Sequence, residues 1–293
     1  MKNLYFKNLL ITGLILVLSC ICSVSYSQKK AAEAPQTGGV KLQYNYPSDR
    51  TFKYVTDTKI VQDMDINGSS MLVNIGMYMK CEVKSAGKQG ENLKLGITVD
   101  TMAQNIESPQ GLAGGTINEV KGKEFNMIIS PAGKTVDYTE ASKIVFAVEG
   151  SGESSLSQAF LNFFPSLPAN AVKEGDTWVT NDTVDTKTPT STVWMPVESS
   201  YKFDGMEDVD GVQCAKISAT LSGTRKMTTE AQGMTINTAG PYTGTQTLFF
   251  AVKEGYLVKE TVNTKMTGNI EIPDQNMTFP VVMNITSTNE IEK

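Results

Sequence analysis

The sequence predicts a mainly β protein: two related antiparallel curved sheets, half-barrel-like repeats, with a short helical insertion between them. Three observations predict it. Apolar and polar residues alternate at a period of two over long runs, turn-forming residues separate the runs, and the halves of the 293-residue chain match at an offset of 122. Long alternation is what a strand with one buried and one wet face requires.

The first segment reads as an address. Lys2 and Lys7 precede a run from Leu9 to Ile21 that is apolar apart from Thr12, Gly13 and Ser19. A membrane span needs roughly 20 apolar residues, so this run fits a secretory signal instead. Small residues at Ser25 and Ser27 place cleavage before Gln28, making 1–27 the signal peptide. The alternative is a lipoprotein, with Cys20 lipidated after Val17-Leu18-Ser19, although Leu18 is bulky for that position. Residues 28–39 are small and polar and read as a flexible tether. The remainder divides into a first β repeat (40–138), a helical linker or plug (139–168) and a second β repeat (169–293).

In the first repeat Met71, Val73, Ile75, Met77, Met79, Cys81 and Val83 share one face of a strand. Leu93, Leu95, Ile97 and Val99 do the same in the next. Asn67-Gly68 suits a tight hairpin, and Pro131-Ala132-Gly133 marks another turn. In the linker Leu156, Ala159, Phe160, Phe163 and Phe164 recur at helical steps, with Ser154 or Ser151 as N-cap and Pro165 and Pro168 as terminators. Thr139 to Val148 is a candidate second helix. In the second repeat Asp210-Gly211, Glu254-Gly255 and Pro273-Asp274 mark turns, and Met277, Phe279, Val281, Met283 and Ile285 alternate in the last strand. The offset carries Leu93, Leu95, Ile97 and Val99 onto Ala215, Ile217, Ala219 and Leu221, and Gly122 and Gly133 onto Gly244 and Gly255. A duplicated β unit is the simplest account.

Composition excludes several functions. The chain has no His, so Ser-His-Asp and Cys-His hydrolases and His-ligated zinc sites are ruled out. With 26 basic and 31 acidic side chains, it offers no counter-charge for nucleic acid. Cys81 and Cys214 remain after signal removal, either as a disulfide or as two buried thiols. Three motif fragments fail on context. Gly133-Lys134-Thr135 lacks the earlier glycine of a phosphate loop, Asp63-Met64-Asp65 lacks the closing carboxylate of a calcium loop, and Ser85-Ala86-Gly87-Lys88 falls in a turn rather than a helix. No metal or cofactor is expected, and no pair among the acids stands out for glycoside chemistry.

Methionine rises furthest above background, with 14 in the chain. Thioethers on flexible stems adapt to irregular apolar shapes. The candidate ligand-binding residues are therefore Met71, Ile75, Met77, Met79, Met277, Phe279 and Met283, with Phe160, Phe163 and Phe164 as plug or lid. A Met-heavy packed core is the competing reading.

Phe164-Pro165-Ser166-Leu167-Pro168, then Val172-Lys173-Glu174-Gly175-Asp176-Thr177-Trp178, resembles an uncharacterised domain-of-unknown-function family of exported bacterial β proteins. In these a Pro-containing link precedes a Gly-Asp-x-Trp opening of the second half. Phe125, Met127, Ile129, Ser130 and Gly133 resemble that family's first-half hairpin. The resemblance implies a turn at Gly175-Asp176 and a Trp178 that plugs one end of the second sheet, and it implies no activity. More loosely, the pattern is similar to periplasmic lipid and lipoprotein carriers. The expected protein is an exported, non-catalytic envelope component, periplasmic or secreted, binding an apolar or lipid-like ligand in a Met-lined concavity. The alternative is a structural or interaction module with an envelope-protein partner. Membrane association is expected only if Cys20 is lipidated.

Overall fold

Long alternating runs bounded by glycine turns fold as long strands. The computed structural model describes residues 38–66, 68–148, 152–160, 163–187, 191–231 and 233–292. The expected signal peptide, most of the tether, Ser151 and Asn67 lie outside the described residues. The first half supplies β1 (Thr51–Ile66), β2 (Ser69–Gln89), β3 (Asn92–Ser108), β4 (Gly111–Thr116), β5 (Glu124–Ile129) and β6 (Thr135–Asp137). The second supplies β9 (Thr177–Lys187), β10 (Ser191–Val209), β11 (Val212–Ala231), β12 (Met234–Ala251), β13 (Tyr256–Ile272) and β14 (Met277–Ile291).

These strands form one antiparallel sheet rather than the two expected. Its order is β6-β5-β3-β2-β1-β14-β13-β12-β11-β10-β9, with β4 beside β3, so β6 and β9 end the path without pairing to each other. The halves are stitched by β1 and β14, in register from Tyr54↔Ile291 to Met64↔Val281. Alternation reports which face a residue takes but not which edge a strand will meet, so this seam had no signature in the pattern.

The linker is less helical than expected. Thr139–Ser142 forms a single turn, α1, and Leu156–Phe160 a second, α2. Between them β7 (Val145–Val148) and β8 (Gly152–Ser155) pair as a small separate hairpin. Phe146 is buried and Val145 exposed, a strand's alternation, so the helix expected over Thr139 to Val148 extends only to Ser142. Ser154 belongs to β8 and gives its hydroxyl to the Gln158 side chain rather than capping a helix.

The core has two parts. One gathers aromatic and aliphatic residues around the linker: Tyr44, Tyr46, Phe52, Tyr54, Phe125, Phe160, Phe163, Phe164, Phe203 and Phe250. The other lies toward the hairpin ends of the long strands and is built from strand residues, among them Met64, Met71, Met195, Met227, Met234, Met266 and Met283.

Candidate functional site

The seven methionines of the second cluster come one each from β1, β2, β10, β11, β12, β13 and β14. All have under a tenth of their surface exposed. Of the residues proposed from sequence, Met71, Ile75, Phe279 and Met283 belong to this cluster, and Met77 and Met277 pack against it partly buried. Met79, Phe160, Phe163 and Phe164 belong instead to the aromatic cluster. The candidate set is thus divided, because inward phase does not say how far along a strand a residue sits.

The aromatic group packs tightly. Phe160 and Phe163 lie 4.9 Å apart, and Phe163 meets Phe164 edge-on at 5.0 Å. Tyr54 packs edge-on against Phe163, and Tyr44 and Tyr46 against Phe164. The Tyr44 hydroxyl donates to the Pro165 carbonyl at 2.9 Å, and the Asn289 amide to the Phe163 carbonyl at 3.2 Å. Gly133 has φ +85°, and a Cβ there would fall 2.5 Å from both the Pro165 carbonyl oxygen and the Tyr44 ring. Its phosphate-loop-like sequence therefore serves a turn beneath the aromatic group. Gly175 also takes a positive φ in a turn, and Trp178 stacks on Tyr201 at 5.3 Å beside the aromatic cluster.

Between the aromatic group and the methionines runs a polar patch that the sequence reading missed. Across adjacent strands, Thr56, Asn289 and Glu260 are in register, and so are Thr58, Ser287, Val262 and Gln246. Thr58 and Ser287 share a hydrogen bond of 2.8 Å, Thr56 donates to the Asn289 side-chain oxygen at 3.2 Å, and the Gln246 amide donates to Glu260. Glu260 is only 7% exposed, and burial pushes its carboxyl up to about 7, the Gln246 bond opposing that rise. The ion pairs among the described residues involve other acids.

Arg225 lies further along the inner face and is also buried. Its row continues through Gly240 on β12, and on β13 Gly268 stands opposite Val281 of β14. Without side chains between, the guanidinium reaches the Met283 sulfur on β14 at 3.8 Å and that of Met227 at 3.2 Å. Gln62 and Gln275 likewise donate to the sulfurs of Met64 and Met234. A signal for these groups existed: Arg225 shares the inward phase with Leu221 and Met227, and Glu260 that of Met266. A charge in that phase departs from the alternating pattern.

Other fragments resolve simply. Asp63 and Asp65 accept hydrogen bonds from Ser70 and the Gly68 amide in the β1–β2 hairpin. Ser85 and Lys88 lie in β2 rather than in the expected turn, at a register shift against β3. Cys81 and Cys214 are both buried and free, so the disulfide alternative is corrected; burial pushes the Cys214 thiol up to about 11 and Cys81 higher still. Among the described residues no group of three acidic or thiol side chains is placed to hold a metal ion.

Fold and site together define an antiparallel β protein in which, among the described residues, one large sheet and a small hairpin carry a buried methionine cluster and an aromatic cluster. No family model matches the chain, and no curated protein matches it. Among solved structures it is similar to a candidate lipoprotein from Parabacteroides distasonis (12% identity, 86% of this chain and 99% of that one, TM-score 0.27). It is also similar to Pseudomonas aeruginosa OccK2 in complex with glucuronate (6%, 86% and 100%, 0.27). A DUF1329 family protein from Desulfovibrio piger follows (12%, 84% and 88%, 0.16). At these scores the functional reading rests on the site itself.

Proposed function

We propose that the protein is an exported, non-catalytic component of the bacterial cell envelope that holds an apolar, lipid-like ligand against its methionine face. The observation that carries this reading is the set of seven buried methionines drawn from seven strands. A core needs shape-holding aliphatics, whereas so many flexible thioethers on one face suit a surface that re-forms around varied apolar partners. Burial of that face by strand residues alone is what a sheet curving on itself produces, and the plug of Phe160, Phe163 and Phe164 covers the other end. Met71, Ile75, Met77, Met277, Phe279 and Met283 line the proposed concavity, with Met79 beside the plug.

The two halves, 40–138 and 169–293, are read as related units flanking the 139–168 linker. In support, the pairs Thr56↔Met79 and Ile60↔Ile75 fall, at the 122-residue offset, on Trp178↔Tyr201 and Asp182↔Val197. The test is native mass spectrometry of protein purified from its own envelope, with titration of a fluorescent fatty-acid probe. A bound lipid-sized mass and saturable probe uptake are expected. A clean apo mass with no uptake overturns the reading in favour of an envelope interaction module.

A further inference from the structure

We infer that the polar patch around Glu260 is a headgroup subsite for an amphiphile bearing a primary ammonium group. The inference rests on the proposed apolar binding and adds the chemistry of the ligand's polar end. A carboxyl with more than nine-tenths of its surface buried is costly to keep unless something answers its charge. Here the side chain contacting it is the neutral amide of Gln246, and no cation pairs with it among the described residues. Its neighbours in register are Asn289 and Leu248. Thr56, Thr58 and Ser287 extend the patch with hydroxyl oxygens that accept from an N–H donor.

The placement also suits an amphiphile. Met79 pairs with Thr56 and Met77 with Thr58, so thioethers continue the same rows away from the carboxyl. The other groups facing Glu260 do not compete for the role. Tyr44, which interacts electrostatically with Glu260, and Tyr46 and Tyr54 beside Tyr44 are held neutral by burial. Gln246 on β12 and Asn289 on β14 do not titrate, and Lys259 and Glu290 pair with each other at the exposed surface. An ammonium entering the patch meets the carboxylate form, so binding expels the proton Glu260 otherwise carries near neutrality.

The experiment compares dodecylammonium, dodecanol and dodecanoate on the purified chain from pH 5.5 to 7.5. Dodecylammonium affinity is expected to rise about tenfold or more across that range as the carboxylate form fills, with dodecanol flat. In Glu260→Gln, circular dichroism confirming its fold, the rise is expected to vanish while dodecanol binding persists. Equal, pH-independent binding of dodecylammonium and dodecanol overturns the headgroup inference alone, as does a rise that survives Glu260→Gln. Failure of all three probes to bind overturns the apolar-site reading beneath it.

Discussion

A carboxyl on the inner face of a sheet makes stability depend on pH in a definite direction. Glu260 titrates in the folded chain at about 7 against an ordinary value of 4.5. Below pH 4.5 both states hold the proton and the group contributes nothing. Between 4.5 and about 7 the unfolded chain ionises while the folded chain does not, so stability falls as pH rises; above that it stays at the lower level. The shift corresponds to a cost on the order of 3 kcal/mol at pH 8. Glu260→Gln, which keeps an amide partner for Gln246, is therefore expected to stabilise the protein at pH 8 and leave it unchanged at pH 4. Urea melts at the two pH values check this, and equal gains at both would contradict it.

At the scale of elements, the linker holds its place by packing rather than by helix propensity. α2 is only five residues, too short to persist alone. Its stability comes from Phe160, Phe163 and Phe164 against Tyr44, Tyr46, Tyr54 and Phe125, and from two carbonyls held by Tyr44 and Asn289. Phe163→Ala is expected to cost about 3–5 kcal/mol, read as a lower urea midpoint at unchanged slope. A loss under 1 kcal/mol would mean the plug is loosely seated. The helical spacing of Leu156, Ala159 and Phe160 was legible, because i, i+3 and i+4 positions share a face, but Phe163 and Phe164, expected on the same helix, lie in bends beyond it. The β7–β8 hairpin was not, since a four-residue apolar run fits either structure.

At the scale of the whole molecule, the β1–β14 seam makes the two halves one sheet. Removing residues 277–293 bares the edges of both β1 and β13, and unpaired edges of that length invite association. The truncated chain is expected to aggregate or lose cooperative unfolding, whereas the full chain unfolds in one transition. A monomeric truncated chain with native-like circular dichroism would show that the seam is dispensable.

The sequence by itself determined the longest alternating strands, several of their turns and the inward phase of their apolar side chains, because alternation and turn chemistry act over a few neighbouring residues. Met71, Met283 and the β2, β3 and β14 runs were all readable on that basis. Tertiary structure alone decided that the fourteen strands of the described residues make one large sheet and a small hairpin, that Met79 joins the phenylalanines, and that Glu260 sits buried beside Gln246. Those outcomes depend on which edges pair and at what height along the strand two residues meet. Such distances are set between separate segments, from hairpin neighbours such as Gln246 and Glu260 to the β1–β14 seam, where a local pattern exerts no force.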